Sequence, residues 1–214
     1  MMYVLGLTGS IGMGKSTAAE MFRRLKVPVH DADATVHKLM SKNGAAVKDI
    51  KTKFPNVVIN GAVDRKKLGD EVFGNPTKLA QLEAILHPLV RNKMHQFLSC
   101  HAHQRRKLVV LDIPLLFETK GDLFCDGVLV VSCPEFLQNQ RVMLRKGMTE
   151  SKYRSILNKQ TPDNQKRTLG DYVIKSNQGK RHSYLNVKQL VEVLSTGGIN
   201  CRDLLPHLSL ACKK

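Results

Sequence analysis

Eight residues near the start of the chain have the types and spacing of a phosphate-binding loop: Gly9, Ser10, Ile11, Gly12, Met13, Gly14, Lys15 and Ser16. They match the pattern G-x-x-x-x-G-K-[ST]. An apolar run precedes the loop and a helical pattern follows it, so backbone N–H groups and a helix N-terminus converge there. We expect them to bind nucleotide phosphates, with Lys15 neutralising β- and γ-phosphate charge and the Ser16 hydroxyl binding Mg²⁺.

Three acidic residues follow predicted strands. Asp31 and Asp33 come just after the apolar run 27–30, and Asp112 follows the run 108–111. In an open α/β sheet, ligands bind beyond the carboxyl ends of the strands, so we expect these carboxylates to face the phosphates. We predict that Asp33 accepts a proton from an attacking hydroxyl, or orients it, and that Asp112 binds Mg²⁺ directly or through water.

The pair Asp31 and Asp33 has a second interpretation. An aspartate at this place can instead cap the N-terminus of the following helix. Alternate residues of an extended segment point in opposite directions, so we expect the two carboxylates to divide the two roles.

Residues 141–168 are strongly cationic. Their charged residues are Arg141, Arg145, Lys146, Lys152, Arg154, Lys159, Lys166 and Arg167, against Glu150 and Asp163. Phosphoryl transfer spreads negative charge over the migrating group, and arginines that close over it stabilise that charge and exclude water. We therefore predict a helical lid here, with Arg141 as a catalytic residue.

The remaining sequence predicts an α/β fold, a parallel sheet of the P-loop kinase type flanked by helices. Strands are predicted at 3–8, 27–30, 108–111, 127–131 and 172–174, with helical segments between them. The nucleotide-binding core is expected at 1–33, 106–140 and 169–196, and the lid at 141–168. Residues 34–105 form a helical acceptor-binding insertion, and 197–214 are a tail of unknown role.

Two helices are clearest in the insertion, where no strong strand signal occurs. Apolar residues recur at helical spacing from about Asn75 to Phe97, and Pro88 should kink or break that helix after His87. A shorter helix should begin at Asp64 as N-cap. Its expected apolar face consists of Leu68, Val72 and Phe73.

Composition limits the class of protein. The net charge of +16 favours an anionic partner, either nucleic acid or a substrate with several phosphates, although most individual lysines are expected to be solvated surface residues. There is no Trp and only 5% of residues are aromatic, so we expect no nucleic-acid partner.

Five scattered cysteines predict an intracellular chain with reduced thiols. With no leader and no long apolar run, we expect no membrane span and a cytoplasmic location, and mitochondrial residence is the alternative.

Segments throughout the chain resemble the dephospho-CoA kinase family. The most specific are Leu86-His87-Pro88-Leu89 and Pro114-Leu115-Leu116-Phe117-Glu118. The others follow in the order of the family: residues 6–17, 31–33, 61–68 and 171–174, with Arg91, Arg141, Arg145, Gln160 and Asn177. The resemblance runs from residue 6 to residue 177 and so covers most of the chain.

The resemblance implies a reaction and a domain architecture. The reaction is ATP-dependent phosphorylation of the ribose 3′-hydroxyl of dephospho-CoA, the last step of CoA synthesis. The domain architecture consists of a nucleotide-binding core, a helical CoA domain and a lid. Among kinases of this plan, an adenylate- or nucleoside-type kinase is the alternative, and a basic nucleic-acid-binding protein is the alternative of another class.

The resemblance also implies site residues. Lys15, Ser16 and Thr17 hold the ATP phosphates and Mg²⁺, Asp33 is the base, and Arg145 and Asn177 contact ATP. The acceptor-side residues are Asp31, Asp33, His87, Arg91, Leu115 and Leu116. Other interpretations stay open: His87 can bind helix-end carbonyls, Arg91 can be a solvated charge, and Leu115 and Leu116 can be core residues. The role of Glu118 is open.

Overall fold

The computed structural model describes residues 1–196 and the two residues 209–210. The tail predicted at 197–214 lies outside the described residues, apart from those two. The chain divides into two compact units. The first consists of Met1–His30 and the chain from His101 onward, and the second is Asp31–Cys100.

The first unit carries the sheet. Its strands are β1 (Tyr3–Thr8), β2 (Val29–Asp31), β5 (Leu108–Asp112), β6 (Gly127–Ser132), β7 (Tyr172–Lys175) and β8 (Ser209–Leu210). The strand order is β2-β5-β1-β6-β7-β8. β1 pairs in parallel with β5 on one side and with β6 on the other, and β7 pairs in parallel with β6. β8 is antiparallel to β7. The predicted α/β class with a mainly parallel sheet is confirmed.

The central strands are buried because helices cover the sheet. Every residue of β5 and β6 is buried, as their continuous apolar sequences predict. The helices of this unit are α1 (Lys15–Arg24), α6 (Glu135–Met143), α7 (Glu150–Leu157), α8 (Asp163–Leu169) and α9 (Lys180–Thr196). Phe22 of α1 and Leu190 of α9 are fully buried in one cluster with Leu5 and Leu129 of the sheet.

The second unit has its own apolar core. Its helices are α2 (Ala32–Met40), α3 (Val47–Lys53), α4 (Arg65–Val72) and α5 (Pro76–His103, the last three residues of which lie in the first unit). Ile50, Phe54 and Leu68 are buried together in this core. Helix α4 is capped as predicted, because Asp64 accepts hydrogen bonds from the N–H groups of Lys66 and Lys67.

A hairpin in the second unit was not predicted. Strands β3 (Val58–Ile59) and β4 (Ala62–Val63) pair in antiparallel register. Asn60 and Gly61 connect them with positive φ angles of 50° and 77°. An Asn-Gly pair between apolar residues favours a two-residue hairpin turn, so the sequence did contain the signal.

Two predictions for the helices of this unit are wrong, one of them in part. Of the kink or break expected after His87, the break does not occur, because helix α5 continues through Pro88. Proline removes one helical hydrogen bond, and burial of Leu82, Leu86 and Met94 on both sides of it keeps the helix together. Phe73 does not complete the apolar face of α4, since it lies beyond the last helical residue and is 75% exposed.

In the described part of the chain, no helix is long and apolar enough to cross a membrane.

Candidate active site at the phosphate loop

The phosphate loop connects the central strand β1 to helix α1. It lies at the carboxyl end of β1, and Gly14 forms the N-cap of α1 with φ of 97°, a left-handed conformation that favours glycine. Gly9 is required for a different reason. A Cβ at this position would lie 2.6 Å from the carbonyl oxygen of Val131 in β6. The predicted strand, loop and helix are therefore present, and two of the glycines are needed to fit them together.

Lys15 and Asp112 form an ion pair at the centre of the site. The Lys15 Nζ lies 2.5 Å from Asp112 Oδ1. The two side chains are 16% and 4% exposed, so the pair is largely removed from water. Asp112 is the last residue of β5, and β5 is the neighbour of β1, which places both groups at the same edge of the sheet. The pair joins two residues that were predicted independently to bind phosphate and metal.

Ser16 and Asp112 offer oxygen atoms of the kind that Mg²⁺ prefers. Ser16 is exposed in the first turn of α1, and the Asp112 carboxylate is nearly buried beside Lys15. Among the described residues no group of three or more His, Cys, Asp or Glu could hold a metal by itself. A site with one carboxylate and one hydroxyl suits a Mg²⁺ ion whose other ligands are phosphate oxygens and water.

Two glutamine side chains bind the backbone of Ile11 within the loop. The Gln138 Nε2 donates to the Ile11 carbonyl at 2.8 Å. The Ile11 N–H donates to the Gln160 Oε1 at 3.1 Å. Gln138 is a buried residue of α6, whereas Gln160 lies between α7 and α8 in the predicted lid. The side-chain amides of two glutamines from separate parts of the chain therefore hold one residue of the loop.

Arg141 lies against the loop. It belongs to the last turn of α6, which begins at Glu135 and therefore crosses the predicted boundary between core and lid at residues 140 and 141. Its guanidinium donates to the Ser176 Oγ at 2.9 Å and to the Ser176 carbonyl at 3.0 Å. The Ser176 hydroxyl in turn donates to the Met13 carbonyl at 2.7 Å. The predicted catalytic arginine is thereby fixed beside the phosphate loop.

Two cavities adjoin the loop. One, of about 690 Å³, is lined by Ser10 and Met13 together with Gln160 and Asn177. The other, of about 520 Å³, is lined by Ser16 and Thr17 together with the cationic residues Arg24, Lys180 and Arg181. Arg145 is exposed just beyond the C-terminus of α6. The first cavity brings together the predicted ATP-binding residues Ser10 and Met13 of the loop and Asn177, which follows β7.

Glu118 has a defined place that the sequence left open. Its Oε1 accepts the Thr161 N–H at 2.6 Å and lies 3.0 Å from the Nζ of Lys166, which is fully buried. Burial would raise the pKa of Glu118, but the hydrogen bond from Thr161 and the Lys166 ammonium outweigh it and lower that pKa below 4.5. Lys166 is one of the cations of the predicted lid. Because it is buried and paired with Glu118, it is not available to a phosphate.

We expect Glu118→Gln to lower the free energy of unfolding by about 3 kcal/mol at neutral pH, because Lys166 loses its counter-charge in a buried place. A depressed carboxyl pKa gives stability that is present above the unfolded pKa and is lost as pH falls through the folded pKa. Urea unfolding of both proteins from pH 7 to pH 3 measures this. The difference should shrink below about pH 4.5.

The matched control is Glu150→Gln. Glu150 pairs with Arg154 at 2.9 Å on α7, but both side chains are more than half exposed. We expect a loss below about 1 kcal/mol for this exposed pair. An equal effect of the two substitutions, or a Glu118 effect that persists unchanged to pH 3, would contradict the buried pairing.

Asp31 and Asp33 lie in different environments, as expected, but the reason is not that they alternate along one strand. Helix α2 begins at Ala32, so only Asp31 ends the strand. The Asp31 Oδ1 accepts the Ala34 N–H at 2.9 Å and caps the helix, while Asp33 is an exposed residue of the first turn. The capping interpretation therefore applies to Asp31 and leaves the Asp33 carboxylate uninvolved in the cap.

The acceptor-side residues have different environments. His87 and Arg91 are exposed on α5. Leu115 is 37% exposed, but Leu116 is fully buried and packs with Val128 and Val130 of β6. Leu116 is therefore a core residue, which corrects the expectation that it contacts the acceptor. Leu115 keeps the exposure that such a contact requires.

Sequence reasoning missed Gln138 and Ser176. Gln138 lies four residues before Val142, which is fully buried on the same helix. A polar amide on the buried face of an amphipathic helix is a signal that it binds another polar group. No pattern in the sequence distinguishes Ser176 from other serines that follow a strand.

Comparisons with known proteins agree on one family. The dephospho-CoA kinase family model matches residues 3–182. A dephospho-CoA kinase of Paramagnetospirillum magneticum is 60% identical over 166 residues, which are 78% of each chain. One of Rhodospirillum rubrum is 55% identical over 179 residues, covering 83% of this chain and 85% of its own. The crystal structure of TT1252 from Thermus thermophilus superposes with a TM-score of 0.79 at 33% identity, covering 90% of this chain and 97% of that one.

Proposed function

This chain belongs to the dephospho-CoA kinase family, and from that membership we propose how its residues carry out the reaction. The enzyme transfers the γ-phosphoryl group of ATP to the ribose 3′-hydroxyl of dephospho-CoA, which yields CoA and ADP. The observation that carries the assignment of roles is the phosphate loop, whose Lys15 meets Asp112 at the edge of the sheet.

The loop and the cations beside it are proposed to bind ATP. Backbone N–H groups of the loop other than those of Ile11 and Met13, together with the N-terminus of α1, face the phosphates. Lys15 turns from Asp112 towards the β- and γ-phosphates. Arg141, fixed beside the loop through Ser176, stabilises the charge that develops on the transferred group. Thr17, Arg145 and Asn177 complete the ATP contacts.

The transfer itself needs a base and an in-line acceptor. The 3′-hydroxyl oxygen forms a bond to the γ-phosphorus while the bond from that phosphorus to the bridging oxygen of ADP breaks. The proton of the hydroxyl passes to the Asp33 carboxylate, which is exposed and is not used as a helix cap. ADP leaves with the bonding electrons.

Mg²⁺ is proposed as the metal that accompanies ATP, and the Ser16 hydroxyl and the Asp112 carboxylate are the residues that would hold it. When bound, the ion neutralises charge on the β- and γ-phosphate oxygens. In the structure described above, the same Asp112 carboxylate pairs with Lys15 instead.

Four residues are proposed to bind dephospho-CoA because of their positions in the family pattern: Asp31, His87, Arg91 and Leu115. The net charge of +16 suits two substrates that each carry several phosphates. No nucleic acid is needed to explain it, and a cytoplasmic location stays a prediction.

An acceptor panel tests the proposed function. With ATP and Mg²⁺, we expect kcat/KM for dephospho-CoA to exceed that for AMP or adenosine at least about 100-fold, because the smaller acceptors lose several polar contacts. The product should carry one new 3′-phosphate for each ADP formed. A preference for a nucleotide would indicate a nucleoside-type kinase. No product, with salt-sensitive binding of an RNA oligomer, would indicate a nucleic-acid-binding protein.

A further inference from the structure

The buried amide of Gln138 lies directly on the phosphate loop. Gln138 is 4% exposed, and its Nε2 donates to the carbonyl of Ile11 at 2.8 Å. The same residue packs against Gly12, where an added Cβ would lie 3.0 Å from the Gln138 carbonyl oxygen and 3.3 Å from its Cγ. A buried side-chain donor is thus committed to one carbonyl of the loop.

That hydrogen bond fixes the direction of the next N–H group. The Ile11 carbonyl and the Gly12 N–H belong to one planar peptide unit, and in a trans peptide these two groups point in opposite directions. No cis peptide occurs in the described residues. Since the Ile11 carbonyl points to Gln138 on α6, the Gly12 N–H points away from α6.

The preceding peptide unit is held by both of its groups. The Ile11 N–H donates to Gln160, and the Ser10 carbonyl on the opposite side accepts the Met13 N–H at 3.1 Å. A bond inside the loop therefore already orients this unit, and Gln160 adds to it. The Ile11–Gly12 unit depends on Gln138 at its carbonyl.

We propose that Gln138 is a positioning residue that aims the Gly12 N–H at a phosphate of the bound nucleotide. This inference rests on the proposed binding of ATP phosphates by residues 9–16. Gln138 does not touch the nucleotide. It acts through the peptide unit, because preorganised N–H donors stabilise phosphate charge only when they already point at it.

The test is nucleotide affinity of Gln138→Met, which keeps the length of the side chain and removes the donor. We expect the Kd for Mg·ADP, measured by titration calorimetry without acceptor, to rise about tenfold, as for loss of an oriented hydrogen bond to a charged group. The Kd for dephospho-CoA should stay within about twofold. Gln160→Met should weaken Mg·ADP binding less than Gln138→Met does, because the Met13 N–H still orients its peptide unit.

The matched control is Gln140→Met, which makes the same change at an exposed position of α6 and should bind Mg·ADP as the wild type does. A Kd for Gln138→Met within twofold of wild type would overturn the proposal. So would an equal loss of affinity for Mg·ADP and for dephospho-CoA accompanied by a lower Tm, because that marks a general structural effect.

If Gln138→Met does not fold, Gln138→Asn tests the proposal in its place, since the asparagine amide is one methylene too short to reach Ile11. The same rise of about tenfold is then expected, and a change below twofold overturns the proposal. A wild-type protein that binds Mg·ADP but fails to phosphorylate dephospho-CoA would refute the proposed function and leave the role of Gln138 measurable.

Discussion

Lys15→Ala is expected to lower kcat at least about 100-fold, the effect of removing a charge partner of the transition state. Lys15 is the cation of the phosphate loop, and its ammonium already lies at the edge of the sheet beside Asp112. Steady-state assays with dephospho-CoA and ATP measure the loss. Turnover within threefold of wild type would remove the loop lysine from the mechanism.

The control separates catalysis from folding. Lys15→Ala also removes the cation beside the nearly buried Asp112 carboxylate, so some loss of stability is expected. Lys15→Arg keeps a positive charge beside Asp112 and should have a Tm close to that of wild type. Its planar guanidinium does not replace an ammonium at a site shaped for one, so its turnover should still fall.

Asp33→Asn is expected to lower kcat by roughly 10²- to 10⁴-fold with little change in ATP binding, because the amide cannot accept the hydroxyl proton. The cap of α2 is made by Asp31, so the start of the helix should persist. The lost carboxylate in the first turn should cost only about 0.3–1 kcal/mol of stability. Single-turnover assays and urea unfolding measure the two effects separately.

Asp31→Asn is the companion variant. Asparagine caps a helix about as well as aspartate, so stability should change little, and we expect a smaller loss of rate than for Asp33→Asn. The opposite pattern, with Asp31→Asn inactive and Asp33→Asn within about threefold of wild type, would show that Asp31 is the base.

Local patterns predicted the parts of the fold that local physics determines. The loop lies between a buried strand and a helix because the glycines, the apolar run before them and the helical pattern after them are all close in sequence. The caps by Asp31 and Asp64 follow from residue type within one turn of the helix. Strands β5 and β6 were predicted because both faces are buried and their sequences are apolar throughout.

Contacts between distant segments could not be predicted in the same way. The bond between Gln138 and Ile11 depends on how α6 packs on the loop. The burial of Lys166 depends on the position of Glu118. Residue propensity also allowed a break at Pro88, which does not occur because packing of the apolar residues of α5 outweighs one missing hydrogen bond. Long-range packing therefore determined the parts of the site that the sequence left open.

The strand order has a consequence for how the chain folds. β5 lies between β1 and β2, and Tyr3 pairs with Leu108. The ribosome must therefore synthesise the whole of Asp31–Cys100 before the central pair of strands can form. That segment has its own apolar core, so it can become compact first. Pairing between segments so far apart in sequence costs loop-closure entropy, so we expect the parallel sheet to form after that segment has become compact. Until then β1 lacks the strands β5 and β6 with which it pairs.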